Sequence, residues 1–163
     1  MGTLFLALLT LGCGVNYSMT GVAIPAYAKT FSVQYFQASA PLAVPTLNQS
    51  FTDDLRNYVV SHSRLVLVTN GDVDFAGSIT GYSLLPVAAT SQNTGQSTLT
   101  RLTITVDVTY TDKNDSKKSY SSSFSRYADY PSAQSFSSVQ DGLIQKIDDQ
   151  LVEDIFDKAF NNW

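Results

Sequence analysis

The side chains that could perform acid–base or nucleophilic chemistry are few in this chain and are far apart in sequence. His62 is the single histidine among 163 residues, and it falls at the end of a predicted helix, where a basic group interacts favourably with the helix dipole. The paired acids Asp53–Asp54 and Asp148–Asp149 lie on predicted helices. Adjacent helical positions point about 100° apart, so neither pair converges on a substrate. No GxSxG nucleophile motif occurs. The sequence therefore predicts a protein that is not an enzyme and has no catalytic residues.

One segment has the spacing of metal ligands. DKNDSKKSYSSS, from Asp112 to Ser123, begins like a calcium-binding loop, with oxygen-bearing side chains at alternate positions. Lys117 stands where such a loop needs glycine, and Ser123 stands where it needs an acid. A turn between two strands explains the segment better, and no glycine-rich phosphate loop is present. We expect neither a metal ion nor another cofactor.

The single cysteine, Cys13, follows an apolar segment, Thr3 to Gly12, that has the length of a signal peptide and is too short for a transmembrane helix. The small residue directly before Cys13 resembles a bacterial lipobox, in which a peptidase cuts before a cysteine whose thiol carries a diacylglycerol. Thr10 replaces the usual leucine, and no basic residue precedes Cys13. We predict a signal peptide at residues 1–12, lipid attachment at Cys13 and a lipidated tether at residues 13–28. The alternative is a hydrophobic first strand with an incidental cysteine.

Composition limits the remaining possibilities. A net charge of -4, with no basic cluster beyond Lys117–Lys118, gives no electrostatic basis for binding nucleic acid. An apolar fraction of 44% argues against disorder. The length is sufficient for one domain with its own core, and one cysteine excludes an internal disulfide. We expect a single domain over residues 29–163.

Alternation of apolar and polar residues predicts the strands. It is clearest from Arg101 to Thr111, where every second residue is apolar and the residues between are threonines and one aspartate. The pattern predicts a strand with one buried and one polar face. A first strand is expected at Lys29–Phe36, and the serine-rich segment Ser119–Pro131 is expected to form an edge strand.

The segment between the first helix and the central strand leaves two interpretations open. Asn70–Gly71 is either a two-residue hairpin turn or a break in one longer strand. Farther along, the apolar parity shifts at Gly81, which predicts a bulge there.

Two segments show helical periodicity. The first follows Thr46 as a candidate cap and ends near Ser61–Ser63. The second starts at Ser138, which with Asp141 resembles a capping box, and runs toward the end of the chain. Its apolar stripe consists of Val139, Leu143, Ile144, Ile147, Leu151, Val152, Ile155, Phe156, Ala159 and Phe160, and Asp148 is assigned to the polar side. The order β-α-β-β-β-α predicts an α+β two-layer sandwich, with two helices on one face of a mixed sheet of about four strands.

In this order the segments resemble the lipopolysaccharide-assembly lipoproteins of the LptE family, in their Bacteroidota-type form. The resemblance covers Cys13 to Trp163. It rests on CGVNYSMTGVAIP, KTFSVQYF, PTLNQSFTDDLRN, GSITGYSLLPVA, RLTITVDVTYTDK, SFSRYADYP and QLVEDIFDKAFNNW.

The resemblance implies a lipid-anchored, periplasm-facing protein of the outer membrane, with Cys13 as the acylated residue. Its partners would be an LptD-type outer-membrane β-barrel, in whose lumen it forms a plug, and lipopolysaccharide, which the pair inserts into the outer leaflet. Basic residues on strands and adjoining loops bind lipid A in this family, and the candidates here are Arg101, Lys117, Lys118 and Arg126. The alternative is a periplasm-facing lipoprotein that binds a small solute between helices and sheet or scaffolds the cell envelope.

Overall fold

The structure, a computed structural model, describes residues 24–88 and 98–160. The elements are β1 (Thr30–Val33), β2 (Gln37–Ala38), α1 (Leu47–His62), β3 (Val66–Leu67), β4 (Val73–Ala88), β5 (Thr98–Asp112), a 3₁₀ turn (Ser116–Lys118), β6 (Tyr120–Pro131) and α2 (Phe136–Phe160). All six strands belong to one sheet, in the order β3-β1-β4-β5-β6, and β2 pairs with β4. Two helices against a mixed sheet confirm the predicted α+β class.

The sheet has six strands where about four were predicted. The first predicted strand, Lys29–Phe36, contains only β1, and β2 follows just after it. Both pair with β4 in parallel, and β3 is a separate two-residue strand. β4, β5 and β6 form an antiparallel meander. The register shifts between Ile79 and Gly81, so the predicted bulge is confirmed. β6 lies at one edge of the sheet, as expected from its serine content.

Both interpretations of Asn70–Gly71 are wrong. β3 and β4 lie on opposite sides of β1 and both run parallel to it, so they form neither a hairpin nor one interrupted strand. Phe31 of β1 points into the core, so its neighbours Thr30 and Ser32 point to the other face. The Gly71 amide donates to Ser32 Oγ at 3.1 Å, and the Asp72 amide donates to Thr30 Oγ1 at 2.9 Å. The chain therefore crosses over β1 on the face away from the core.

The core lies between the helices and the other face of the sheet. α1 buries Leu47, Phe51, Thr52, Leu55 and Val59. The predicted stripe of α2 is confirmed, with Leu143, Ile144, Ile147, Leu151, Val152, Ile155, Phe156 and Phe160 buried. Asp54 of α1 faces Gln145 of α2, and farther along both helices the Tyr58 ring lies 5.4 Å from the Phe156 ring. Because later residues of α1 contact later residues of α2, the two helices run in the same direction.

The helix starts differ from expectation. Thr46 occupies the N-cap position of α1, but its side chain makes no capping hydrogen bond. α2 begins at Phe136, two residues before the predicted start at Ser138. The Ser138 hydroxyl lies inside the first turn and donates to the Ser135 carbonyl at 2.7 Å, so the capping-box interpretation is wrong. Neither helix of the described residues is long and apolar enough to cross a membrane.

The residues just before β1 are part of the folded domain. Ala28 is buried, and the Tyr27 hydroxyl donates to the Asp112 carboxylate at 2.6 Å. Both residues were assigned to the tether. The folded part therefore extends toward the N-terminus at least to Ile24, which packs against the core.

Candidate functional surface

The sheet face away from the helices, called here the open face, carries mainly polar side chains. The register of β4, β5 and β6 places its side chains in three rows. The row of β4 consists of Asp74, Ala76, Ser78, Gly81, Ser83 and Leu85. The row of β5 consists of Arg101, Thr103, Thr105, Asp107, Thr109 and Thr111. The row of β6 consists of Ser121, Ser123, Ser125, Tyr127 and Asp129. The opposite residues of β5 are buried from Leu102 to Tyr110. The predicted separation into one apolar and one polar face is confirmed.

Short hydroxyl side chains pair across the strands of the open face. Thr105 and Ser125 lie 3.0 Å apart, and Thr109 and Ser121 lie 2.9 Å apart, measured between hydroxyl oxygens. A shallow depression of about 410 Å³ includes the Thr109–Ser121 pair and is also lined by Asp107 and Ser123. Ligand pockets for apolar molecules are lined mainly by apolar groups. The open face is instead suited to water or to another polar surface.

One end of the open face carries a cation stacked on an aromatic ring. The Arg101 guanidinium donates two hydrogen bonds to the Asp129 carboxylate, at 2.7 and 2.8 Å, and lies 3.6 Å from the centre of the Tyr127 ring. These hydrogen bonds raise the pKa of Arg101 and lower the pKa of Asp129. The bidentate geometry holds Arg101 in place on the sheet.

The four candidate basic residues do not meet at one site. Arg101 lies on the open face, whereas Arg126 lies opposite Ile104 on the helix side and binds the Asp154 carboxylate of α2 with two contacts of 2.6 Å. Lys117 and Lys118 lie in the exposed 3₁₀ turn at the far end of β5. Cys13 and the predicted signal peptide lie outside the described residues.

His62 has the position expected for a solvated helix end. It is the last residue of α1 and is exposed. Its ring stacks on Tyr58 at 4.0 Å between ring centres. Within residues 24–88 and 98–160, no three His, Cys, Asp or Glu side chains are grouped so that they could hold a metal ion.

Asp148 is the polar residue that the sequence analysis placed wrongly. It has no exposed surface, and within the part of the chain that the structure describes neither carboxylate oxygen has a hydrogen-bond partner. Burial, followed by the negative charges of Asp54 and Asp149, raises the pKa of Asp148 to about 8. Burial also raises the pKa of Asp54, followed by the charge of Asp149. The two acids that influence each other across the helix interface, Asp54 and Asp148, come from different sequence pairs. The prediction that the two members of one pair point in different directions is therefore compatible with this contact.

The fold places the chain in a class of small α+β domains with two helices on a mixed sheet. The solved minor lipoprotein from Acinetobacter baumannii matches with a TM-score of 0.50 and 16% identity over 79% of this chain and 90% of that one. The hypothetical protein CT253 from Chlamydia trachomatis matches with a TM-score of 0.53 and 13% identity over 83% and 99%. Protein XCC0632 from Xanthomonas campestris matches with a TM-score of 0.51 and 14% identity over 82% and 86%. Identities this low show a shared fold alone.

Membership of a family follows from the sequence itself. The model of the lipopolysaccharide-assembly family LptE matches residues 28–159, which is most of the chain. The chain belongs to the LptE family, as the resemblance indicated. This is a family of lipoproteins without enzymatic activity. A comparison with curated proteins finds no match.

Proposed function

We propose that this protein is the outer-membrane lipoprotein of a lipopolysaccharide-insertion complex, where it fills the lumen of an LptD-type β-barrel and assists its assembly. The open face is the observation that supports this role beyond family membership. It spans β4, β5 and β6, and its rows of hydroxyls suit the water-filled, polar interior of a large barrel. The protein acts by binding and not by catalysis.

The lipopolysaccharide contact is assigned within this proposal to the candidates that remain free. Arg101 and Arg126 are each held by a bidentate carboxylate, whereas the exposed Lys117 and Lys118 carry no carboxylate partner in the described residues. An ammonium group without a partner is the one that can neutralise a phosphate of lipid A at little cost.

Recovery of a barrel is the test of the proposed function. We expect affinity purification of the mature protein from native membranes to recover a large β-barrel. Ser123→Trp on the open face is expected to reduce that recovery about tenfold, because a bulky ring in a close-fitting polar contact costs at least about 1.4 kcal/mol. Ser137→Trp, on the exposed first turn of α2, is the matched control and should leave recovery unchanged.

Purification without any large barrel would contradict the proposal and favour the solute-binding or scaffolding alternative. The solute-binding form of that alternative requires a pocket between the helices and the sheet. Phe31, Phe51, Phe75 and Ile147, which lie in that layer, have no exposed surface.

Lipid attachment has its own test. Cys13→Ser is expected to abolish labelling by radioactive fatty acid and to release the protein from membranes, because acyl chains contribute about 0.8 kcal/mol for each buried methylene. Thr10→Leu restores the common lipobox residue and should preserve both labelling and retention. Equal labelling of the Cys13→Ser chain would show that Cys13 does not carry the lipid.

A further inference from the structure

Half of the cationic side chains lie at one end of the domain. Five of the ten Lys and Arg residues are exposed where β1 begins and β5 ends: Lys29, Arg64, Lys113, Lys117 and Lys118. We call this end the basic pole. The chain enters the described domain here, since residues 24–28 lie directly before β1.

Backbone contacts join the first three of these cations. The Lys113 amide donates to the Asp72 carbonyl at 3.0 Å. The Asp72 carboxylate accepts the Lys29 amide at 2.9 Å. The Lys29 carbonyl in turn accepts the Val66 amide at 3.0 Å, two residues after Arg64. These three cations therefore lie on one continuous surface.

The remaining two cations join the same surface through Asp112. Its carboxylate accepts the Tyr27 hydroxyl at 2.6 Å and the Asp115 amide at 3.0 Å. The Asp115 carboxylate accepts the Lys117 amide at 3.2 Å. The Lys118 ammonium lies 5.5 Å from the centre of the Tyr27 ring. The 3₁₀ turn thus adds two cations beside the point where the chain enters.

The acids of this end are turned toward the protein. Asp72, Asp112 and Asp115 each accept backbone N–H groups. The next acid on the open face, Asp74, accepts from the side chains of Ser32 and Gln34. These carboxylates keep their negative charge, but they are three against five cations, so the basic pole has a net charge of +2 on a protein of net charge -4.

The cations are spread over the surface and do not converge on a cavity. Among the described residues, Lys29, Arg64 and Lys117 have no side-chain partner, and all three are exposed. Tyr27, 41% exposed, lies among them, and tyrosine is enriched where proteins meet the headgroup layer of a membrane. Exposed cations that line neither of the depressions described for this domain match a plane of phosphates better than they match one bound headgroup.

We propose that the basic pole docks on the anionic phospholipid surface of the membrane that holds the lipid anchor whenever Lys117 and Lys118 are not occupied by lipid A. This inference rests on the proposed lipidation of Cys13. The eleven-residue step from Cys13 to Ile24 reaches at most about 40 Å when extended, so the pole is held near that surface. The docking orients the domain on the membrane, and acyl chains with basic residues form two cooperating membrane signals.

The experiment measures vesicle binding without the anchor. The chain from residue 13 onward carries Cys13→Ser; its buried core lies entirely within residues 28–160. We expect binding to vesicles of phosphatidylcholine with phosphatidylglycerol, weakened by salt, and none to phosphatidylcholine alone. Changing Lys113, Lys117 and Lys118 together to Gln should weaken binding about a hundredfold, at about fivefold for each lysine. Lys146→Gln, exposed on α2, is the matched control and should change binding less than about twofold.

Three results would overturn the inference: equal binding to neutral vesicles, an equal loss in the Lys146→Gln control, or binding only when lipopolysaccharide replaces phosphatidylglycerol. The last result assigns the basic pole to the cargo. Circular dichroism of each variant confirms that folding is retained. The barrel purification is independent of this assay, so loss of barrel recovery with intact vesicle binding contradicts the proposed function alone.

Discussion

Asp148→Asn is expected to stabilise the domain by about 2 kcal/mol near pH 8 and to flatten the dependence of its stability on pH. Burial raises the pKa of Asp148 in the folded state from its ordinary value of 3.8 to about 8. The folded state therefore keeps a proton that the unfolded state loses. The stability contributed by this proton is fully present below pH 3.8 and is lost as the pH rises to about 8, by about 1.4 kcal/mol for each pH unit.

Asparagine removes the ionisation and keeps the size of the side chain. The buried amide still loses its water, and this loss costs free energy unless the amide gains a hydrogen bond. The expected gain is therefore smaller than the full ionisation cost.

The measurement is urea unfolding of the wild type and the variant at several pH values between 3.8 and about 8. Asp141→Asn makes the same chemical change at an exposed position of the same helix, and should alter stability by less than about 0.5 kcal/mol. A Asp148→Asn variant with the same pH slope as the wild type would show that Asp148 is not the titrating group.

Gly71→Ala is expected to destabilise the domain by about 3 kcal/mol. A Cβ at this position would lie 2.4 Å from the Phe31 carbonyl carbon and Cα and 2.7 Å from its amide nitrogen. All three are backbone atoms of β1, so no side chain can move aside to accommodate the methyl group. The chain crosses β1 here, and the crossing needs this close approach.

Gly142→Ala in α2 is the matched control for that substitution. A Cβ there meets no atom within 4 Å, and alanine is better than glycine inside a helix by about 0.5–1 kcal/mol. Neither glycine has a positive φ, so the two differ in contact and not in backbone conformation. Thermal or urea unfolding should give effects of opposite sign. Equal stability of Gly71→Ala and the wild type would mean that the backbone at Gly71 lies farther from the Phe31 backbone than the structure shows.

Strong one-sided burial is what made most of the fold predictable from the sequence. β5 alternates without error because one row faces the core and the other faces the open side. The stripe of α2 was equally readable, since eight of its residues are buried. These patterns establish the two layers and the polar face.

The features that the sequence did not predict depend on contacts between distant segments. β3 has two residues, both exposed, and thus no periodicity to read. Asn70–Gly71 is a local hairpin signal, but parallel pairing with β1, about forty residues earlier, determines the path of the chain. Asp148 looks like a surface acid until α1 covers it.

The candidate site was predicted only in part, for a similar reason. The polar face was visible as a row of threonines in β5. The separation of Arg101 from Arg126 follows from strand alternation. Arg126 and Tyr127 are adjacent in β6, so their side chains point to opposite faces of the sheet, and Arg101 lies on the face of Tyr127. No signal in the sequence indicates the inward orientation of Asp72, Asp112 and Asp115, because that orientation depends on turns that form only in the folded chain.

With the lipid anchor proposed at Cys13, the position of β1 between β3 and β4 has a mechanical consequence. Tension from the proposed anchor would pass through residues 24–28 to β1, the first strand of the domain. The load is shared by bonds on both sides of that strand, from the Val66 and Val68 amides to the Lys29 and Phe31 carbonyls and from the Gln34 amide to the Phe75 carbonyl. Such a pull shears these bonds together and does not open them one after another. The anchoring strand is thereby placed where the sheet resists force best.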